Sequence, residues 1–242
     1  MPALPFVTGL MGWRGANANF ADTDSTTSCN IAAHMLGTLG ITAPVALKGQ
    51  QLGRRLEEEV RDHLASALPG TINGRKVTVS RRTVVSDFEQ YGHLATLQAL
   101  IDADPTRTLR AAIGSDYLIR PDVIVGLSPG LGPDFLHAAV PCKWTLRSDR
   151  AQNVRHEAVI LIRHRRGRLP HITPVTAEPM PTRIARLARG TAEVDALYHV
   201  ALDELDAAVR AVGTPRQVDA LDELIGHRRL RDLAELVSVL TV

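Results

Sequence analysis

YLIRPDVIVGL, residues 117–127, and FLHAAVPCKWTL, residues 135–146, are two short apolar runs joined by the Pro- and Gly-rich turn SPGLGP. Together they predict a hairpin in a buried sheet. Each run carries a charge near one end: Asp122 follows Pro121 in the first, and Lys143 stands late in the second. If the strands pair, these two charges converge at the sheet rim.

Working outward, upstream and downstream segments alternate in type. VALKGQQLGRRLEEEVRDHLASAL (45–68) places Leu52, Leu56, Val60 and Leu64 four residues apart, which predicts an amphipathic helix ended by Pro69-Gly70. KVTVSR (76–81) alternates like a strand, and FEQYGHLATLQALIDAD (88–104) reads as a second helix stopped by Pro105. Beyond the hairpin, SDRAQNVRHEAVILIRHRR opens on Ser148 and Asp149, good N-cap residues, and predicts a helix running to Gly167. LPHITPVTAE (169–178) reads as a third strand, and VDALYHVALDELDAAVRAVG and VDALDELIGHRRLRDLAELVSVL as C-terminal helices. Interleaved strands and helices predict an α/β fold around a central mixed sheet flanked by helices. No repeat, linker or low-complexity tract divides the chain, so residues 1–242 are expected to form a single domain.

Bulk properties remove several function classes. Cys29 and Cys142 are too few and too scattered for a disulfide framework or a thiolate metal site, and no histidine pair sits at zinc-ligand spacing in a cysteine-rich context. Any metal should therefore be a hard cation held by carboxylates. The N-terminal MPALPFVTGLMGWRG lacks the basic start and long apolar run of a signal peptide, so a cytoplasmic protein without membrane contact is expected. Residues 143–168 hold eight Lys or Arg against Asp149 and Glu157, a local charge of +6 in a chain whose net charge is +2. Such a block is either a solvated helix face or the footprint of a phosphate-binding surface.

An acid and a lysine at a sheet rim suit phosphodiester cleavage. The acid binds a divalent cation, and the lysine stabilises charge developing on phosphorus or positions the nucleophile. Further carboxylates are available at Glu157, fourteen residues after Lys143 on the expected helix, and at Glu58 on the earlier helix. Just after the lysine, CKWTLRSDRAQN sets Arg147, Asp149 and Arg150 within four residues at a helix start. Arginine pairs bidentately with guanine and aspartate accepts from the cytosine amino group, so the cluster can read a CC/GG half-site.

These residues resemble the NgoMIV-type restriction endonucleases, a branch of the PD-(D/E)XK nuclease fold that reads a CCGG core. The resemblance runs through SCNIA (28–32), GQ with a downstream acid (49–58), GSDYLIRPDVIV (114–125), CKWTLRSDRAQNVRHEA (142–158), GRLPHITPVTAEPMPTRIARLARGTAEVD (167–195) and YHVALDEL. It implies a type II site-specific deoxyribonuclease using Mg²⁺, two ions per active site, with Mn²⁺ able to substitute. Carried across, the catalytic set is Asp122, Lys143, Glu157 and Glu58. The metal ligands are Asp122, Glu157, Glu58 and Cys142, the last adjoining Pro141, which replaces a family serine and leaves a backbone carbonyl as the available donor. The inner bases fall to Arg147, Asp149 and Arg150, the centre of the site to Gln51, and the outer base pair to Arg183 and Asp22, with Asp24 as the other register. The resemblance further implies double-stranded DNA as substrate, a site of GCCGGC, a homotetramer built as a dimer of dimers, and a companion DNA methyltransferase in the cell without a physical complex. The rival readings are a DNA-binding protein of the same fold that has lost catalysis, marked by loss of Asp122 or Lys143, and a structure-specific nuclease, which needs no Arg-Asp-Arg cluster.

Overall fold

The computed structural model describes residues 3–47, 49–190 and 193–242. Pro5 opens a short helix α1 (Pro5–Leu10), where its fixed φ and missing N–H suit the first turn. A two-stranded ribbon follows, β1 (Trp13–Arg14) against β2 (Asn17–Ala18). The Ser25 hydroxyl accepts the Ser28 N–H and caps α2 (Thr26–Thr38). The amphipathic segment folds as α3 (Gly49–Ala67), with Leu52, Leu56, Val60 and Leu64 all buried along one stripe.

β3 (Thr71–Ile72) and β4 (Arg75–Arg81) pair around Asn73-Gly74, whose φ values of 50° and 74° are those that a tight hairpin of this hand requires. Helices α4 (Gly92–Ala103) and α5 (Thr108–Ile113) lead to β5 (Val123–Ser128), which runs antiparallel to both β4 and β6 (Phe135–Val140). The expected hairpin is present but shorter. Tyr117–Asp122 approach β5 from outside the sheet, and at Pro141 the chain leaves it. Cys142 and Lys143 form β7, which pairs in parallel with β9 (Val175–Thr176) of a second sheet. Proline has no N–H to continue a ladder, while its carbonyl accepts the Val175 N–H at 2.8 Å, so the break orphans no acceptor. The strand expected over 169–178 divides in the same way: β8 (His171–Ile172) lies beside β6, and β9 lies beside β7. With β10 (Leu197–His199) and β11 (Leu230–Asp232), two sheets, ordered β3-β4-β5-β6-β8 and β11-β10-β9-β7, are thereby stitched by the same two segments.

Between these crossings runs α6 (Ser148–His164), followed by α7 (Pro181–Ala188). The N-cap of α6 is Arg147 in extended conformation, one residue before the expected Ser148. The C-terminal segments depart further from expectation. Each segment read as a helix also holds a strand: β10 (Leu197–His199) before α8 (Leu202–Val212), and β11 (Leu230–Asp232) between α9 (Pro215–Gly226) and α10 (Leu236–Leu240). Leu197, Tyr198 and His199 are all buried, and a parallel strand covered on both faces shows no polar–apolar alternation to betray it.

Successive side chains of β5 enter two cores. Val123, Val125 and Leu127 pack with α2, α3 and α8, whereas Ile124 packs with Tyr91, Leu94 and Leu161 on the opposite face. The result is the expected mixed sheet flanked by helices, its rim at Asp122 left open. Among the described residues no helix is long and apolar enough to cross a membrane.

Candidate active site and recognition cleft

Asp122 stands one residue before β5, and Cys142 and Lys143 follow β6 just past Pro141. The register pairs Val123 with Val140, so the acid and the lysine meet across the rim. Lys143 Nζ donates to Asp122 Oδ2 at 2.7 Å, and the Cys142 N–H donates to the same oxygen at 2.8 Å. Both contacts fall on Oδ2. Burial by itself would lower the Lys143 pKa, but the charge and hydrogen bond of Asp122 outweigh it and hold the ammonium above its ordinary value. Glu157, on α6, lies within electrostatic reach of both: burial pushes its carboxyl up, with Lys143 opposing and Asp122 adding to the rise. Burial first, then Asp122 and Glu57, drives the Cys142 thiol well above its usual range, so its side chain is a neutral thiol.

The acids of α3 separate by rotation. Gln50, Gly53 and Glu57, spaced three and four apart on one face, line a groove with Cys142, Lys143, Trp144, Arg150 and Asn153. Glu57 is buried, accepting from Arg81 Nη2 at 2.5 Å and from Arg82 Nη2 and Nε at 3.1 and 3.2 Å. Glu58 turns a further 100° round the helix and accepts from Arg54 and Arg81, each at 3.1 Å. The groove is lined by Gln50 and Glu57, the sequence neighbours of Gln51 and Glu58, and Arg54, which also lines it, donates to Glu58.

The base-reading candidates gather in an adjoining cleft. Asp22, Arg147, Arg150 and Arg183 line it together with Arg14, Asn17 and Thr145. Arg183, on α7, pairs with Asp22 Oδ2, while Arg147 Nη2 stands 4.0 Å from Oδ1. The hydrogen bond from Arg183 holds the Asp22 carboxyl below its ordinary value. Asp24 donates its N–H to Asp22 Oδ1 at 3.3 Å and is itself turned outward, so Asp22 is the aspartate that meets Arg183. Arg150 donates to Thr145 Oγ1 at 3.0 Å and borders both hollows, which share Gly49 and Trp144 as well. Asp149 is exposed on the first turn of α6, outside the residues that line the cleft. Beneath the floor lies Glu178, fully buried, a residue with no sequence signal beyond one acid inside an apolar run.

The basic block does not form one face. Arg147 and Arg150 occupy the N-terminal end of α6, whereas Arg166 and Arg168, past its C-terminal end, line a separate groove with Arg75 and Phe135. A helix of 17 residues puts roughly 25 Å between those ends. Among the described residues, no three His, Cys, Asp or Glu side chains converge closely enough to hold a metal ion.

Comparison with known proteins points one way. The model of the NgoMIV restriction enzyme family matches residues 10–131 and 128–242. The type II restriction enzyme NgoMIV of Neisseria gonorrhoeae is 36% identical over 263 residues, spanning 95% of this chain and 91% of that enzyme. Among solved structures, a PspGI–substrate DNA complex gives a TM-score of 0.43 at 11% identity, covering 79% of this chain and 61% of that one. The type IIF endonuclease Bse634I with cognate DNA gives 0.42 at 12%, covering 74% and 81%. Scores this low add no weight beside the sequence identity.

Proposed function

A chain that belongs to the NgoMIV restriction enzyme family is a type II restriction endonuclease, and we propose that this one cleaves duplex DNA, with Mg²⁺, at the palindrome 5′-GCCGGC-3′. The observation that carries this reading is the wall of Gly49, Trp144 and Arg150 shared by two hollows: the groove of Lys143, Cys142 and Glu57, with Asp122 bonded to its lysine, opens beside the cleft of Arg147, Arg183 and Asp22. On this reading the cleaving groups adjoin the recognising ones.

The donor set fits a hard cation. Asp122, Glu157, Glu57 and the main-chain carbonyl of Cys142 would supply oxygen, and the buried Cys142 thiol is not a thiolate; the acids would have to draw together around the ion, since no three of them converge among the described residues. A bound divalent ion polarises a phosphoryl oxygen and lowers the pKa of an attacking water. The chain's own residues do the rest. The Cys142 N–H and Lys143 hold the Asp122 carboxylate in a fixed orientation. Lys143, kept protonated by Asp122, stabilises negative charge as it builds on the phosphate.

Arg147 and Arg150 take two successive guanines of the inner CCGG, and Asp149 takes the partner cytosines. Asp22 and Arg183 already stand side by side, which suits the two halves of one outer G·C pair. The palindrome requires two copies of this set about a two-fold axis, and a tetramer supplies two such pairs.

Digestion of a fully sequenced plasmid with Mg²⁺, followed by sequencing of the ends, tests the reading. Every end should map to GCCGGC, and EDTA should stop cleavage. Ends at CCGG regardless of flank would remove the outer assignment, and ends without a CCGG core would remove the reader assignment altogether.

A further inference from the structure

We infer that Glu178 is a positioning residue that ties the start of α6 to the start of α7, so that the inner and outer base pairs are read by one rigid unit. This rests on the reader assignment above. Glu178 lies between β9 and α7 with a side chain 1% exposed. Each of its carboxylate oxygens accepts a different backbone N–H. Oε2 takes Leu146 at 2.8 Å, and Oε1 takes Met180 at 3.2 Å. Leu146 immediately precedes Arg147, the N-cap of α6, and Met180 is the N-cap of α7, three residues before Arg183. A single side chain thus bridges the two segments that carry Arg147, Asp149 and Arg150 on one side and Arg183 on the other.

The bridge is itself anchored. His199, fully buried on β10, accepts the Ala201 N–H on Nδ1 at 3.1 Å, which leaves Nε2 as the donor to the Glu178 carbonyl at 3.3 Å. The Glu178 N–H donates to Thr176 Oγ1 on β9 at 3.2 Å. Both peptide groups of the residue are therefore fastened to the second sheet. The ring closes through the readers: Arg183 Nη1 lies 3.8 Å from Glu178 Oε1, Arg183 pairs with Asp22, and Asp22 approaches Arg147. A mere counter-ion for Arg183 would not hold the Leu146 amide. Burying a carboxylate is costly unless its oxygens find donors, and here two amides donate to them while the Arg183 guanidinium stands 3.8 Å away as counter-charge. Glutamine is a poor substitute, because its NH₂ would face one of the two N–H donors.

The test measures cleavage on GCCGGC and on duplexes changed at one inner or one outer base pair, for wild type and for the Glu178→Gln, Arg150→Ala and Arg183→Ala variants. Glu178→Gln should lose discrimination at both positions by roughly ten- to hundred-fold, the loss falling on KM more than on kcat. Arg183→Ala should lose it at the outer pair alone, and Arg150→Ala at the inner. If Glu178→Gln keeps wild-type preference at both, or loses only the outer, the inference is overturned while the readers stand. If Arg150→Ala and Arg183→Ala keep wild-type preference, the reader assignment fails and takes the inference with it. Should Glu178→Gln not fold, Glu178→Asp retains the charge but is too short to span both amides, and it should show the same double loss. Independently of any variant, amide hydrogen exchange of the DNA-free wild type should show Leu146 and Met180 protected and opening at the same rate. Free exchange at either would overturn the bridge.

Discussion

At Asp122 one carboxylate oxygen accepts both the Lys143 ammonium and the Cys142 amide, with the two side chains 16% and 20% exposed. That pairing makes the two residues interdependent. Asp122→Ala and Lys143→Ala should each reduce Mg²⁺-dependent cleavage by at least about a thousand-fold, while specific duplex binding in Ca²⁺ survives. Gel-shift titration beside a cleavage time course checks this, and near-wild-type cleavage by either variant would remove the assignment. A second residue-scale expectation concerns Glu178 and His199, whose titrations oppose each other. Burial pushes the Glu178 carboxyl up to about 7 from an ordinary 4.5, so the folded state keeps a proton that the unfolded chain sheds, and this group favours folding less as pH rises from 4.5 to about 7. Burial drives His199 down to about 4 from 6.5, so its contribution is complete above 6.5 and is lost as pH falls toward 4. Each slope is roughly 1.4 kcal/mol per pH unit, and they cancel where they overlap, between 4.5 and 6.5. Glu178→Gln removes one of them. Its melting temperature should therefore fall more steeply than that of wild type on acidification through this window, as thermal denaturation at several pH values would show. Parallel profiles would mean that the two groups are not opposed.

Helix α3 shows what an element decides beyond its residues. It presents Gln50, Gly53, Arg54 and Glu57 to the groove, with Glu58 bonded to Arg54 and to Arg81. Glu57→Gln should accordingly slow cleavage at saturating DNA by about a hundred-fold, and Glu58→Gln by no more than a few-fold. Single-turnover rates decide between them, with melting temperatures to register any loss of the Arg81 and Arg82 contacts. Equal effects would mean that the helix phase does not govern the site. Glu157→Ala, on α6, should likewise impair cleavage more than binding, because Glu157 feels Lys143 and Asp122 and lies apart from the reading cleft. An unchanged rate at saturating DNA would count against its place in the site. Helix α6 itself divides the basic block, with reading arginines at its start and a second basic groove beyond its end.

At the scale of the whole molecule, the second sheet has a mechanical role. β9 and β10 hold Glu178, which spans the starts of α6 and α7, so the two helices that supply Arg150 and Arg183 to the cleft are tied to packed strands. On the proposed palindromic site, one such cleft would cover one half and a second copy the other. Light scattering should give a particle near four times 26.3 kDa, free and on DNA. A monomer mass in both states would leave the palindromic reading without its two-fold axis.

The amino-acid sequence alone carries the family, through a resemblance along most of the chain, and sets out the candidate chemistry, an acid and a lysine bracketing a hairpin and an Arg-Asp-Arg cluster at a helix start. It also determined α3 and the antiparallel core, because spacing by four and short apolar runs are one-dimensional signals of burial. The tertiary structure was needed to see that Asp22, not Asp24, pairs with Arg183, and that Gln50 and Glu57 line the groove beside Gln51 and Glu58, since neighbours on a helix diverge by 100° and turn residues are oriented by their partners. It alone showed β10 and β11, whose burial on both faces erases periodicity, and it alone showed Glu178, whose role comes from two amides 32 and 2 residues away.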